Sequence, residues 1–197
     1  MYACIGTILD NFEILQYVNR NDPRMRREFR VAKELLSEIE AILEPLAAFQ
    51  TVIQTSCKPF GYASLAMIFH LLQHYGFDLS NGIVPFDDEV SLEAPGPVSY
   101  SQKVFQIRES DGRKPRRIGD FSANGQDFFE TLTRHLAFRI NQRQNNRLYE
   151  LVALFTDPFL KKFAKKILGL GNKKLNWYVK TSWRWSRIVL RLRRLLL

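Results

Sequence analysis

No aspartate or glutamate occurs between Lys161 and Leu197, although that stretch holds 12 Lys and Arg. The preceding residues hold 17 Lys and Arg against 20 Asp and Glu. The formal charge of +9 is therefore a tail of +12 on a body of −3, and the basic pI of 9.7 belongs to the tail. A segment without carboxylates can bind anions. It cannot chelate a hard cation or supply an acidic general base.

Cysteine is scarce. Cys4 and Cys57 are the only two, which leaves one disulfide open, and nothing in their spacing supports a disulfide framework or a zinc site. No run of 18 apolar residues occurs, so no spanning helix is expected. The N-terminus, MYACIGTILDNF, has an early Asp and no basic start before an apolar run. No signal peptide is expected, and an intracellular setting follows as the default. Glycine-rich phosphate loops are missing too: GLGNKK lacks the GxxxxGK[ST] spacing, and no Gly-x-Ser-x-Gly elbow occurs. There is no internal repeat.

What is present is mostly helical patterning. Ile5, Ile8, Leu9, Phe12 and Leu15 share one helical face. From Arg30 to Thr55, Leu35, Leu36, Ile39, Ile42, Leu43, Leu46, Phe49, Val52 and Ile53 recur at three and four residues, with Glu34, Glu38 and Glu40 on the other side. Pro45 predicts a kink or a helix–helix join near Glu44, because it removes a backbone donor and crowds the preceding turn. Tyr62 to Tyr75 is apolar nearly all round, which predicts burial between helices, and Gly76 sits where a helix C-terminus wants glycine. Gly125 to Thr156 carries two linked amphipathic runs, closed by Asp157-Pro158. Phe159 to Leu168 restarts as a short basic helix.

Between Phe77 and Asp120 the pattern dissolves among Pro85, Pro95, Gly96, Pro97, Pro115, the acids Asp87-Asp88-Glu89 and the basic cluster Arg113-Lys114-Arg116-Arg117. That composition predicts an exposed, partly disordered insert over 77–120. The fold expected is thus mainly α: a helical region over 1–168 with that flexible insert, and a basic Trp-, Arg- and Leu-rich tail over 169–197.

Few residues carry recognisable chemistry. His70 and His74 lie one helical turn apart, but HLLQH lacks the glutamate of a metalloprotease helix and a third ligand. Asp87, Asp88 and Glu89 read as a solvated loop, since a catalytic carboxylate must be held within reach of its target. No catalytic residue, metal, cofactor or small-molecule substrate is nominated. The tail is the best interaction candidate. Lys173, Lys174, Lys180, Arg184, Arg187, Arg191 and Arg194 offer an anion-binding face, the last four at helical spacing. Trp177, Trp183, Trp185 and Leu192, with Ile188, Val189 and Leu196, offer an apolar one. Such a helix can track nucleic-acid phosphates, lie on an anionic membrane surface or pair with a partner helix.

Three ordered segments resemble the hAT superfamily of transposases. Leu35 to Thr55 (LLSEIEAILEPLAAFQTVIQT) is similar to the helix after that family's tryptophan-containing motif, with the Pro45-Leu46 step and a Thr/Gln-rich end. Pro59 to Tyr75 (PFGYASLAMIFHLLQHY) is similar to the proline-led helix that follows. Gln126 to Lys166 resembles the long helix leading to the family's Leu-Asp-Pro-Arg-x-Lys signature, which stands here as Thr156-Asp157-Pro158-Phe159-Leu160-Lys161 with its leucine and arginine changed. The resemblance spans about residues 1–166. It implies the helical insertion of an RNase H-like domain, a transposable-element origin, DNA as partner and a nuclear setting. The family uses three carboxylates and two divalent metals. By family order the first two carboxylates would precede this chain, and the third would follow the Asp-Pro signature, where no acid occurs. The resemblance therefore implies a fragment that is not an enzyme. The incomplete core it implies would favour self-association.

Overall fold

The structure is a computed structural model; it describes residues 2–21, 31–55, 64–80, 82–83, 92–142, 164 and 166–167. Among these the architecture is mainly helical. In chain order the elements are α1 (Tyr2–Asp10), α2 (Phe12–Asn21), α3 (Lys33–Thr55), α4 (Ser64–Tyr75), α5 (Pro97–Ser101), β1 (Val104–Glu109), β2 (Gly112–Arg117), a 3-10 turn (Ile118–Asp120) and α6 (Ala123–Gln142). The chain divides into two compact units, Met1–Val52 with Pro95–Arg134, and Ile53–Ala94 with His135–Leu197.

In the first unit, α1 and α2 follow the expected apolar face. Ile5, Leu9 and Phe12 are buried against Leu36 of α3, with Ile8, Ile39 and Leu43 packed around them. Each such side chain taken from water contributes about 1.5–3 kcal/mol. The Lys33 ammonium stands 5.7 Å above the Phe12 ring and closes the cluster from the solvent side. α3 is one helix that contains Pro45, so of the kink or helix–helix join expected near Glu44 the join is not formed. The acidic side of α3 also departs from the amphipathic reading: Ser37, Glu38 and Glu40 are buried alongside Leu36, Ala41 and Ile42.

What covers that acidic side is the main correction to the sequence reading. Part of the stretch expected to be irregular, residues 97–120, holds a short helix, an antiparallel hairpin and a 3-10 turn. β1 and β2 pair Val104 with Arg117, Gln106 with Pro115, Arg108 with Arg113 and Glu109 with Gly112. Phe105 and Ile107 alternate inward. Phe105 meets Phe121 and Phe129 of α6 at 6.4 and 5.8 Å between ring centroids, and Tyr100 of α5 meets Phe129 at 5.3 Å. These edge-on and tilted contacts suit aromatic quadrupoles. The buried Thr133 hydroxyl is satisfied within α6 by donating to the Phe129 and Glu130 carbonyls. The turn keeps Ser110 and Asp111 at ordinary negative φ and places the positive φ, 132°, on Gly112.

In the second unit, α4 buries Leu65, Ala66, Ile68, Phe69, Leu72 and Tyr75. Its burial is not all round: His70, Gln73 and His74 form an exposed stripe. Gly76 ends it as expected, at φ 88°. The Gly76 amide donates to the Gln73 carbonyl and the Phe77 amide to the Leu72 carbonyl, the double bond of a Schellman cap. Asn141 clamps the backbone of Leu92, donating to its carbonyl at 2.8 Å and accepting from its amide at 2.9 Å. Ala164 and Ile167 are helical and buried, and Lys166 stands 5.7 Å from the Phe69 ring. The rest of the short basic helix expected over Phe159–Leu168 lies outside the described residues.

Candidate functional site

The densest chemistry among the described residues lies in the first unit, where the hairpin meets α3. Four acids of α3 fall in two rows at helical spacing, Glu34 with Glu38 and Glu40 with Glu44. Like charges at i,i+4 cost an isolated helix a few tenths of a kcal/mol each. Here each row meets arginine. Arg116 donates to Glu34 at 2.8 Å and Glu109 at 3.4 Å, and stands 3.8 Å from Glu38. Arg108 donates to Glu40 at 2.7 Å and also to Asp10 at the end of α1. Arg113 donates to Glu44. Arg108 and Arg113 sit directly across the ladder from each other, an arrangement that repels unless each finds its own carboxylate. Both do.

The charges respond accordingly. The Glu44 carboxylate, and after it the Tyr2 side chain, hold the Arg113 guanidinium above its ordinary value. Glu34 does the same for Arg116. At the hairpin end, Lys114 bridges Glu109 at 2.8 Å and Asp111 at 3.0 Å. Those carboxylates, Glu109 first, raise the lysine, and the lysine lowers Asp111. The basic cluster 113–117 is thus largely neutralised from within the chain, not an open anion-binding patch.

Glu38 has a second task. Its side chain is wholly buried, with one oxygen accepting the Ser122 amide at 2.8 Å and the other the Ser122 hydroxyl at 2.5 Å. Ser122 precedes α6, and its hydroxyl oxygen accepts the Gly125 amide at 3.1 Å. In an ordinary capping box the third helical residue supplies a Glu that reaches back to the cap amide. Here the third residue is Gly125, and Glu38 makes that contact from another helix. A Cβ on Gly125 would lie 2.2 Å from a Glu38 carboxylate oxygen. The missing side chain and the incoming carboxylate are one arrangement. The negative charge also sits at the positive end of the α6 dipole.

The other sequence candidates stand as follows. Lys173, Lys174, Lys180, Arg184, Arg187, Arg191, Arg194, Trp177, Trp183, Trp185 and Leu192 lie outside the described residues, as do Asp87, Asp88, Glu89, Cys57 and the Asp157-Pro158 signature. His70 and His74 are exposed on α4. Among the described residues, no three His, Cys, Asp or Glu side chains gather to hold a metal, and no helix is long and apolar enough to cross a membrane. Cys4 is an exposed free thiol. Comparison with protein-family models, with curated proteins and with solved structures finds no match to this chain.

Proposed function

We propose that this chain is a non-catalytic, transposase-derived helical module that contacts nucleic acid through its acid-free C-terminal segment. The observation that carries the reading is the partition of charge. The hairpin arginines of the body meet carboxylates at short range, whereas residues 161–197 contain no carboxylate to neutralise their 12 cations. Phosphate backbones are the natural counterpart of such a segment. In this reading Lys173, Lys174, Lys180, Arg184, Arg187, Arg191 and Arg194 contact phosphates, with no base-specific role. Replacing all seven by glutamine is expected to lower affinity for unrelated duplexes by a similar factor. Incubating the intact chain with duplex and magnesium or manganese is expected to leave the DNA uncut and unjoined. Cleavage that depends on the protein would overturn the non-catalytic half of the proposal.

A second reading has its own support: all three tryptophans, Trp177, Trp183 and Trp185, fall in this same segment. Interfacial binding to anionic membranes uses that combination of Trp, Leu and Arg. Vesicle binding that survives high salt, with nucleic-acid binding absent, would favour it.

A further inference from the structure

Asparagine followed by glycine is the dipeptide most prone to spontaneous deamidation, because glycine has no side chain to hinder attack by its own amide nitrogen on the asparagine side chain. The sequence holds two such pairs, Asn81–Gly82 and Asn124–Gly125. Asn81 lies outside the described residues. Asn124 and Gly125 are the second and third residues of α6, in the turn that Glu38 caps from α3. A Cβ on residue 125 would lie 2.2 Å from a Glu38 oxygen, so the cap itself fixes the glycine half of the labile pair.

The same cap guards that pair. Attack requires the Gly125 nitrogen to lose its proton and reach Asn124 Cγ. Here its N–H donates to the Ser122 hydroxyl oxygen at 3.1 Å, and the helical backbone at Asn124 keeps ψ far from the value that a succinimide ring needs. The buried Glu38 carboxylate close to Gly125 disfavours a second negative charge on that nitrogen. Asn124 itself is exposed, so water and base reach it once the turn opens.

We propose that Asn124 is a latent modification site, which deamidates when the first turn of α6 separates from Glu38 and Ser122. Solvent base takes the Gly125 amide proton, and the nitrogen bonds to Asn124 Cγ. The Cγ–Nδ2 bond breaks, and ammonia leaves with a proton from water. Water then opens the succinimide at one of its two carbonyls. Opening at Cγ gives aspartate, which suits the positive end of a helix. Opening at the backbone carbonyl gives isoaspartate, whose main chain runs through Cγ. That extra methylene shifts the Gly125 amide away from Ser122, so the cap cannot reform and the opening is retained as a covalent mark.

The test incubates the full chain in neutral buffer and in urea, then counts aspartate and isoaspartate at 124 by mass spectrometry of peptides. Unfolding in urea is expected to speed conversion by at least about tenfold. Ser122→Ala removes the cap oxygen and is expected to speed it about fivefold in buffer, with no change in urea. One measurement needs no variant: as urea is raised in steps below unfolding, conversion should follow the hydrogen-exchange rate of the Gly125 amide. A rate in buffer equal to that in urea, a rate indifferent to Ser122→Ala, or one that does not follow Gly125 exchange overturns the proposal.

Discussion

At position 125 glycine is needed for space, and at 112 for conformation. Gly125 leaves room for the Glu38 carboxylate, with 2.2 Å from a would-be Cβ. Nothing lies within 4 Å of a Cβ on Gly112, but its φ is 132°. The two should therefore respond differently to a second change. Gly125→Ala is expected to cost about 1–3 kcal/mol by overpacking, and most of that cost should vanish once Glu38 is shortened to Ala. Gly125→Glu in the Glu38→Ala background should recover part of the lost stability by restoring an ordinary capping box within α6. Gly112→Ala is expected to cost about 1–3 kcal/mol through backbone strain, whatever is done elsewhere. Urea unfolding of the singles and doubles separates the cases; additive effects at 38 and 125 would refute the shared-space account.

The helices were legible in the sequence because their apolar spacing is local, whereas the hairpin was hidden by what makes it work. β1 offers only Phe105 and Ile107 as inward alternation. β2, GRKPRR, has no apolar residue but a proline, so its pairing rests on partners distant in sequence. The same distance hid the site. Glu38 and Glu40 look like a solvent face until Arg108, Arg116 and Ser122 are brought over them. The paired i,i+4 acids of α3 were the one local signal that cations must arrive from elsewhere. The magnitude of that arrival depends on burial. The Glu40 side chain is 4% exposed, and removing its cation with Arg108→Met is expected to cost about 2 kcal/mol after allowing for an arginine that is itself 34% exposed. A double-mutant cycle with Glu40→Gln should show coupling above about 1 kcal/mol. The exposed Arg134–Glu130 pair on α6, at 2.6 Å, should show only about 0.3–0.5 kcal/mol.

The hairpin end should also depend on pH from both sides. Asp111 is lowered from 3.8, so its contribution is complete above that value and is lost as pH falls through the lower folded one. Lys114 is raised from 10.5, so its contribution is complete below that value and is lost as pH rises through the higher folded one. Between about pH 4 and 10.5 the clip should be constant. Below that window, exchange protection at the amides of 109 and 112 should fall before that of α6, and Asp111→Asn should remove its share of the acid sensitivity.

At the scale of the whole molecule, two kinds of charge coexist and should answer salt differently. The ion pairs of the body are short-range and partly buried, and they lie well inside a screening length of roughly 8–10 Å. Residues 161–197 contain no Asp or Glu, so no acidic side chain within that segment can neutralise its cations. Raising salt from about 50 to 200 mM should therefore barely move the unfolding midpoint, while the nucleic-acid affinity proposed for the segment should fall steeply. If the seven named cations each displace a counterion from duplex DNA, log K should fall against log salt with a slope on the order of −6. Fluorescence anisotropy on a duplex of arbitrary sequence measures that slope directly. A slope near zero, with vesicle binding that persists in the same salt, would mean that the three tryptophans and Leu192 carry the interaction and that the arginines merely line the wet side of an interfacial helix.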